Sequence, residues 1–126
     1  MKKNLNLMIN SYNLKGIDFM GYKVNKNNPY TYHHILKKCH GGNETLKNGA
    51  VLTKYSHQYL HIIETRDLEI YNQINNVLKQ INEQGFAPLE RQILAIDYIL
   101  RIFESEHFND KTAKGKILIK KEFLKR

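Results

Sequence analysis

Five of the six histidines in this chain fall between residues 33 and 61. His57 and His61 are four residues apart, so on a helix they share one face and can close on a single ion. His33 and His34 are adjacent, so in an extended segment their side chains point to opposite faces. One of them can join the helical pair as a third ligand while the other stays free to take a proton. Three imidazoles suit zinc and can also hold nickel, cobalt or manganese. A three-histidine set leaves a coordination position open for water or a phosphate oxygen. The fourth imidazole then has the right chemistry for a general base, because its ordinary pKa lies near neutrality.

That division of labour needs an extended segment through 33–34 and a helix through 57–61. Tyr30-Thr31-Tyr32-His33-His34-Ile35 is aromatic and β-branched and reads as a strand. It follows a turn, Asn25-Lys26-Asn27-Asn28-Pro29, whose residues bond their own backbone or set φ. Leu36 to Gly49 reads as a loop, punctuated by Gly41-Gly42 and Asn48-Gly49. Ala50-Val51-Leu52-Thr53 is a short strand, and Ser56 is a suitable cap for a helix that starts at His57. Upstream, alternating Leu5, Leu7 and Ile9 suggest a short strand, and Gly16 to Val24 reads as a strand or hairpin arm. Downstream, Ile70, Tyr71, Ile74, Val77, Leu78 and Ile81 form an amphipathic helical stripe, closed by Gly85 as a C-cap. Pro88 suits the first turn of a further helix, with Ile93, Ile96, Leu100 and Phe103 on one face, fraying by His107. The short link between the two predicts an antiparallel hairpin.

The chain has 126 residues, which predicts one domain: a core over 30–66, a helical hairpin over 67–107 and a basic tail over 108–126. The expected class is α+β, with an N-terminal β segment. A formal charge of +8 favours an anionic partner such as nucleic acid. The single cysteine, Cys39, excludes an intrachain disulfide and a cysteine-built zinc site. Cys39 reads as a small semi-buried loop residue. The opening apolar run breaks at Asn10 and is too short for a signal h-region. No stretch approaches the about 18 apolar residues of a membrane span. The expectation is a cytoplasmic protein with no membrane partner.

Over about residues 32–63 the chain resembles the HNH, or ββα-metal, endonuclease family. The elements appear in the family's order: His33-His34-Ile35, Gly41-Gly42, Asn48, Val51-Leu52, and His57-Gln58-Tyr59-Leu60-His61. The resemblance implies that His33, His57 and His61 are metal ligands and that His34 is the general base. It gives Asn48 the task of bracing the loop that orients that base. It implies one divalent ion (Mg, Mn, Zn or Ni) and hydrolysis of DNA phosphodiester bonds, with RNA as an alternative substrate. Lys37, Lys38, Lys47 and Lys54 flank the site as expected phosphate contacts. His40 is a further contact or simply a solvent-facing loop residue. Many relatives carry Cys-x-x-Cys pairs around a structural zinc; here Thr53 and Ser56 stand where the second pair would be. The helical hairpin is then expected to supply the missing support. The family's Pro and Arg after His-Ile are replaced by Leu36-Lys37-Lys38.

Two other classes compete with the nuclease. One is a nucleic-acid-binding module that keeps the fold without cutting. The other is a structural metal module for protein interaction, which requires a saturated coordination shell. A free imidazole at His34 favours the enzyme. A homodimer would bring two single-strand-cutting sites to opposite strands.

Overall fold

A computed structural model describes residues 2–36 and 46–107, a mixed α/β arrangement of four helices and one two-stranded antiparallel sheet. Lys37, Lys38, Cys39, His40 and the basic tail therefore lie outside the described residues. The first element is helix α1, Lys2–Ser11, where alternation suggests a strand. The helical period wins because Leu5, Met8, Ile9 and Tyr12 all pack on the core at three- and four-residue spacing, with Met8 fully buried and Leu7 left exposed. The predicted arm over 16–24 is likewise no strand. It is a turn-rich segment with an isolated bridge between Ile17 and Lys23, and another between Asn25 and Asn28. The expected N-terminal β segment is thus replaced by a helix and a knot of turns.

Asp18 ties that knot to the rest. Its side chain is fully buried. Oδ1 accepts from the backbone N–H of Met20 at 2.9 Å and of Tyr22 at 3.0 Å. Oδ2 accepts from the Thr53 N–H at 2.8 Å and the Thr53 hydroxyl at 2.9 Å. Ser56 adds a further side-chain hydrogen bond. Burial pushes the Asp18 carboxyl up from its ordinary value, and these donors pull it back. Thr53 and Ser56, where the family resemblance marks a missing cysteine pair, are therefore held by a buried carboxylate. Gly21 closes the knot in a left-handed conformation, φ +88°, where a Cβ would lie 2.8 Å from Ile93.

Strands β1 (Tyr30–His34) and β2 (Gly49–Thr53) pair antiparallel, with His33 opposite Ala50 and His34 opposite Gly49. A short 3-10 turn, Leu46–Asn48, leads into β2. Helix α2 runs Lys54–Arg66 and starts three residues before the expected His57. Its cap is Thr53, whose side chain accepts from the Ser56 N–H; Ser56 sits inside the first turn. Asp67 caps helix α3, Leu68–Gln84, through the Ile70 N–H, and Gly85 ends it at φ 78°. Helix α4 spans Glu90–His107, so Pro88 lies in the link before its first turn.

Helix α4 runs back along α3. Gln84 and Gln92 exchange side-chain hydrogen bonds at one end, at 2.9 and 3.2 Å, and His107 lies 3.3 Å from Asp67 at the other. The predicted stripe is the core face: Ile70, Tyr71, Ile74, Leu78 and Ile81 are buried against Ile96, Leu100 and Phe103 and the inner faces of β2 and α2. Truncating one such fully buried side chain to Ala costs about 2–5 kcal/mol. Tyr59 is core too, 1% exposed and edge-on to Phe103. No helix among the described residues is long and apolar enough to cross a membrane.

Candidate metal centre

The pleat of β1 sorts its side chains. Thr31 and His33 face α2, while Tyr32 and His34 face the other way, edge-on to each other at 5.0 Å. Tyr32 lies over Gly49 and Met8, where a Cβ on Gly49 would clash with both. The i,i+4 spacing on α2 stacks His57 on His61 at 4.8 Å. The His33 ring meets His57 edge-on at 5.4 Å and His61 at 6.4 Å. A strand and a helix therefore bring the three expected ligands together, and His34 stands apart on the opposite face.

The fit to one ion can be tested from these separations. Three imidazoles bound tetrahedrally at about 2.1 Å have ring centroids roughly 5 Å apart. The His57 pairings to His61 and His33 match this, and the His33–His61 separation is about an ångström long. The side chain with room to close it is His61, 53% exposed, whereas His33 is buried. His61 Nδ1 is 3.5 Å from Glu64 Oε1, one turn on. His57 is held more firmly. The Thr31 hydroxyl donates its one proton to the Leu52 carbonyl at 2.8 Å, so it accepts from His57 Nδ1–H at 2.9 Å. That leaves His57 Nε2 with its lone pair available.

Burial and neighbouring histidines keep the inner rings neutral. Burial pushes His33 down from 6.5 to about 4, with His57, His61 and His34 adding to the fall and a hydrogen bond to Asn75 opposing it. Burial does the same to His57, also to about 4, helped by His61 and His34. Neutral imidazole is the form that binds a metal. Tyr71 stands edge-on to His33 at 6.4 Å. Its hydroxyl is buried without a hydrogen-bond partner among the described residues, and burial together with the nearby Glu64 charge pushes it up to about 12.

Asn48 braces the end of β1. Its side chain accepts from the Leu36 N–H at 2.7 Å and donates to the Leu36 carbonyl at 2.9 Å, while its own carbonyl accepts from the Ile35 N–H. Lys54 is exposed at the start of α2. Lys47 is exposed and shares an open pocket of about 360 Å³ with Tyr12, Leu46, Asn82 and Glu83.

Two residues that carry the site escape a reading by motif. Asn75 Nδ2 donates to the Ile35 carbonyl at 2.7 Å, and its Oδ1 is 2.9 Å from His33 Nε2. Asn82, two turns on, donates to the Leu46 and Gly49 carbonyls, and its own carbonyl accepts from the Tyr12 hydroxyl. Helix α3 thus grips the chain just after β1 and just before β2. The signal for both was their position: polar residues seven apart inside an apolar stripe must find partners there.

A second group could hold a metal ion. The ligand atoms of Asp67, Glu106 and His107 lie within 4.8 Å of one another, a closeness the histidine trio does not reach. Asp67 already caps α3 and His107 stacks on Phe103 at 4.5 Å, so packing and capping account for two of the three without an ion. The chain matches no protein-family model, no curated protein and no solved structure.

Proposed function

We propose that this protein is a metal-dependent endonuclease that hydrolyses DNA phosphodiester bonds with weak sequence preference, using a ββα-metal unit made of β1, β2 and α2. The observation that carries the reading is the convergence of His33, His57 and His61 beside a fourth histidine, His34, that the strand turns to its other face. A structural ion site has no use for that fourth imidazole. A hydrolase needs it, because the residue that accepts the proton must keep its lone pair away from the metal.

His33, His57 and His61 would hold one divalent ion, which supplies positive charge against the negative charge that develops on phosphate and leaving oxygen. Their depressed pKa values mean that His33 and His57 need lose no proton to bind it at pH 7. His34 takes the proton of the attacking water as the water oxygen bonds to phosphorus. The bond from phosphorus to the 3′ oxygen breaks, the leaving oxygen takes a proton from solvent water and His34 returns its proton to solvent, leaving a 5′ phosphate and a 3′ hydroxyl. Asn48 holds Leu36 on both its N–H and its carbonyl, which limits how far the segment after His34 can swing. Lys54 and Lys47 offer charge to the flanking phosphates.

The test is a nicking assay on supercoiled plasmid with metal-stripped protein, adding back Mg²⁺, Mn²⁺, Ni²⁺ or Zn²⁺ beside His34→Ala. Metal-dependent nicking is expected in the native chain and is expected to be lost in the variant while metal is still bound. An absence of cutting on both DNA and RNA with every metal would sink the reading.

A further inference from the structure

We propose that Asn75, from the middle of α3, is a positioning residue that makes His33 present Nδ1, and not Nε2, to the metal. This rests on the metal-centre reading above and adds a residue from outside the matched motif. Asn75 has one amide and two neighbours. Its Nδ2 donates to the Ile35 carbonyl at 2.7 Å, which only an N–H₂ group can do. The amide is thereby oriented, and the atom 2.9 Å from His33 Nε2 is the oxygen. An amide oxygen only accepts, so His33 carries its proton on Nε2. Its lone pair is then on Nδ1, the nitrogen left to face His57 and His61.

The resulting ligand set is mixed. His33 offers Nδ1, while His57, with Nδ1–H committed to Thr31, offers Nε2. The difference follows from where each ring is rooted. His57 reaches the centre from one side along a helix, and His33 comes up from a strand beneath it, with α3 behind its far edge. Such outer hydrogen bonds fix both the tautomer and the rotation of a ligand ring. Asn75 is buried, so no water competes for the contact. Helix α3 becomes part of the centre, and the hairpin contributes a hydrogen bond in addition to its packing.

The test combines the histidine tautomer, read by ¹⁵N–¹H long-range NMR on the metal-free protein, with zinc affinity by competition titration. His33 is expected as the Nε2–H tautomer. Asn75→Leu is expected to weaken zinc binding about 10–100-fold, the usual loss for such an outer partner. Asn75→Asp keeps an oxygen that accepts from His33 while it sets a charged acceptor, in place of the donor, against the Ile35 carbonyl; it is expected to restore most of that affinity. Asn76→Ala, exposed on the same helix, is expected to bind as the native chain does. The proposal is overturned if native His33 is the Nδ1–H tautomer, which needs no variant to fold. It is also overturned if Asn75→Leu binds zinc normally, or if Asn75→Asp is as weak as Asn75→Leu, since Ile35 would then be the contact that matters. Native protein that binds no zinc overturns this proposal, and it removes the nuclease reading as well only if Mg²⁺, Mn²⁺ and Ni²⁺ also fail to support nicking. Protein that binds zinc as expected but cuts nothing removes only the nuclease.

Discussion

Acid should destabilise this protein through His33 as pH falls from 6.5 towards 4. His33 falls from 6.5 to about 4 in the fold because it is buried among other imidazoles. Between those two values the unfolded chain binds a proton that the native chain refuses, so stability falls with pH. The contribution is fully present above pH 6.5 and is lost progressively as pH drops towards 4. At about 1.36 kcal/mol per pH unit, the full loss is about 3 kcal/mol, and about 2 kcal/mol of it is gone by pH 5. His57 carries a shift of the same size, but the rings repel one another, so the two losses do not simply add. Against a usual total of about 5–15 kcal/mol this is a large fraction. The assay is urea unfolding followed by circular dichroism at pH 7, 6 and 5, on metal-free protein. His33→Gln removes the titrating group and keeps an amide N–H for Asn75. Its stability is expected to fall between pH 7 and 5 by about 2 kcal/mol less than that of the native chain. With a urea slope of about 1–3 kcal/mol/M, that is a midpoint difference near 1 M. Equal pH slopes for the two proteins would refute the reasoning, because they would mean that the pocket accommodates the imidazolium as easily as water does.

Asp18→Asn is expected to cost about 2–4 kcal/mol in the same unfolding assay. The new amide group would point donor hydrogens at the backbone N–H groups of Met20 and Tyr22 or at Thr53, stranding buried donors; an unchanged midpoint would show that the carboxylate is not what ties the 14–24 segment down. Tyr71→Phe is expected to leave stability unchanged or raise it by about 1 kcal/mol, because the deleted hydroxyl is buried and has no partner among the described residues. A loss above about 1 kcal/mol would mean that the hydroxyl has a partner in solution.

Sequence periodicity was a good guide where one contact dominates and a poor one where several compete. The stripe from Ile70 to Ile81 and its stop Gly85 were both legible, because a helix advertises its buried face every three or four residues. The first ten residues misled, since Leu5, Leu7 and Ile9 satisfy an alternating pattern locally. Only the packing of Met8 and Tyr12 on the core selects the helix. The start of α2 was set three residues early because Thr53 outcompeted Ser56 as cap. Thr53 is pinned by Asp18, which lies 35 residues away in the chain and cannot be seen from the local sequence.

For the candidate centre, the one-dimensional pattern was enough to say which imidazoles share a face. Spacing of four on a helix and adjacency on a strand dictate that His57 and His61 share a face and that His33 and His34 do not, whatever surrounds them. The electronic state of those rings is a different matter. The depth at which His33 is buried, the nitrogen it presents, and the threonine, glutamate and asparagine that face the outer edges of the rings all depend on how α3 and the β-hairpin are packed together. Asn75 lies 42 positions from His33. A contact of that span comes from the tertiary fold, because only the packing of a third helix behind the strand brings an amide and an imidazole to hydrogen-bonding distance.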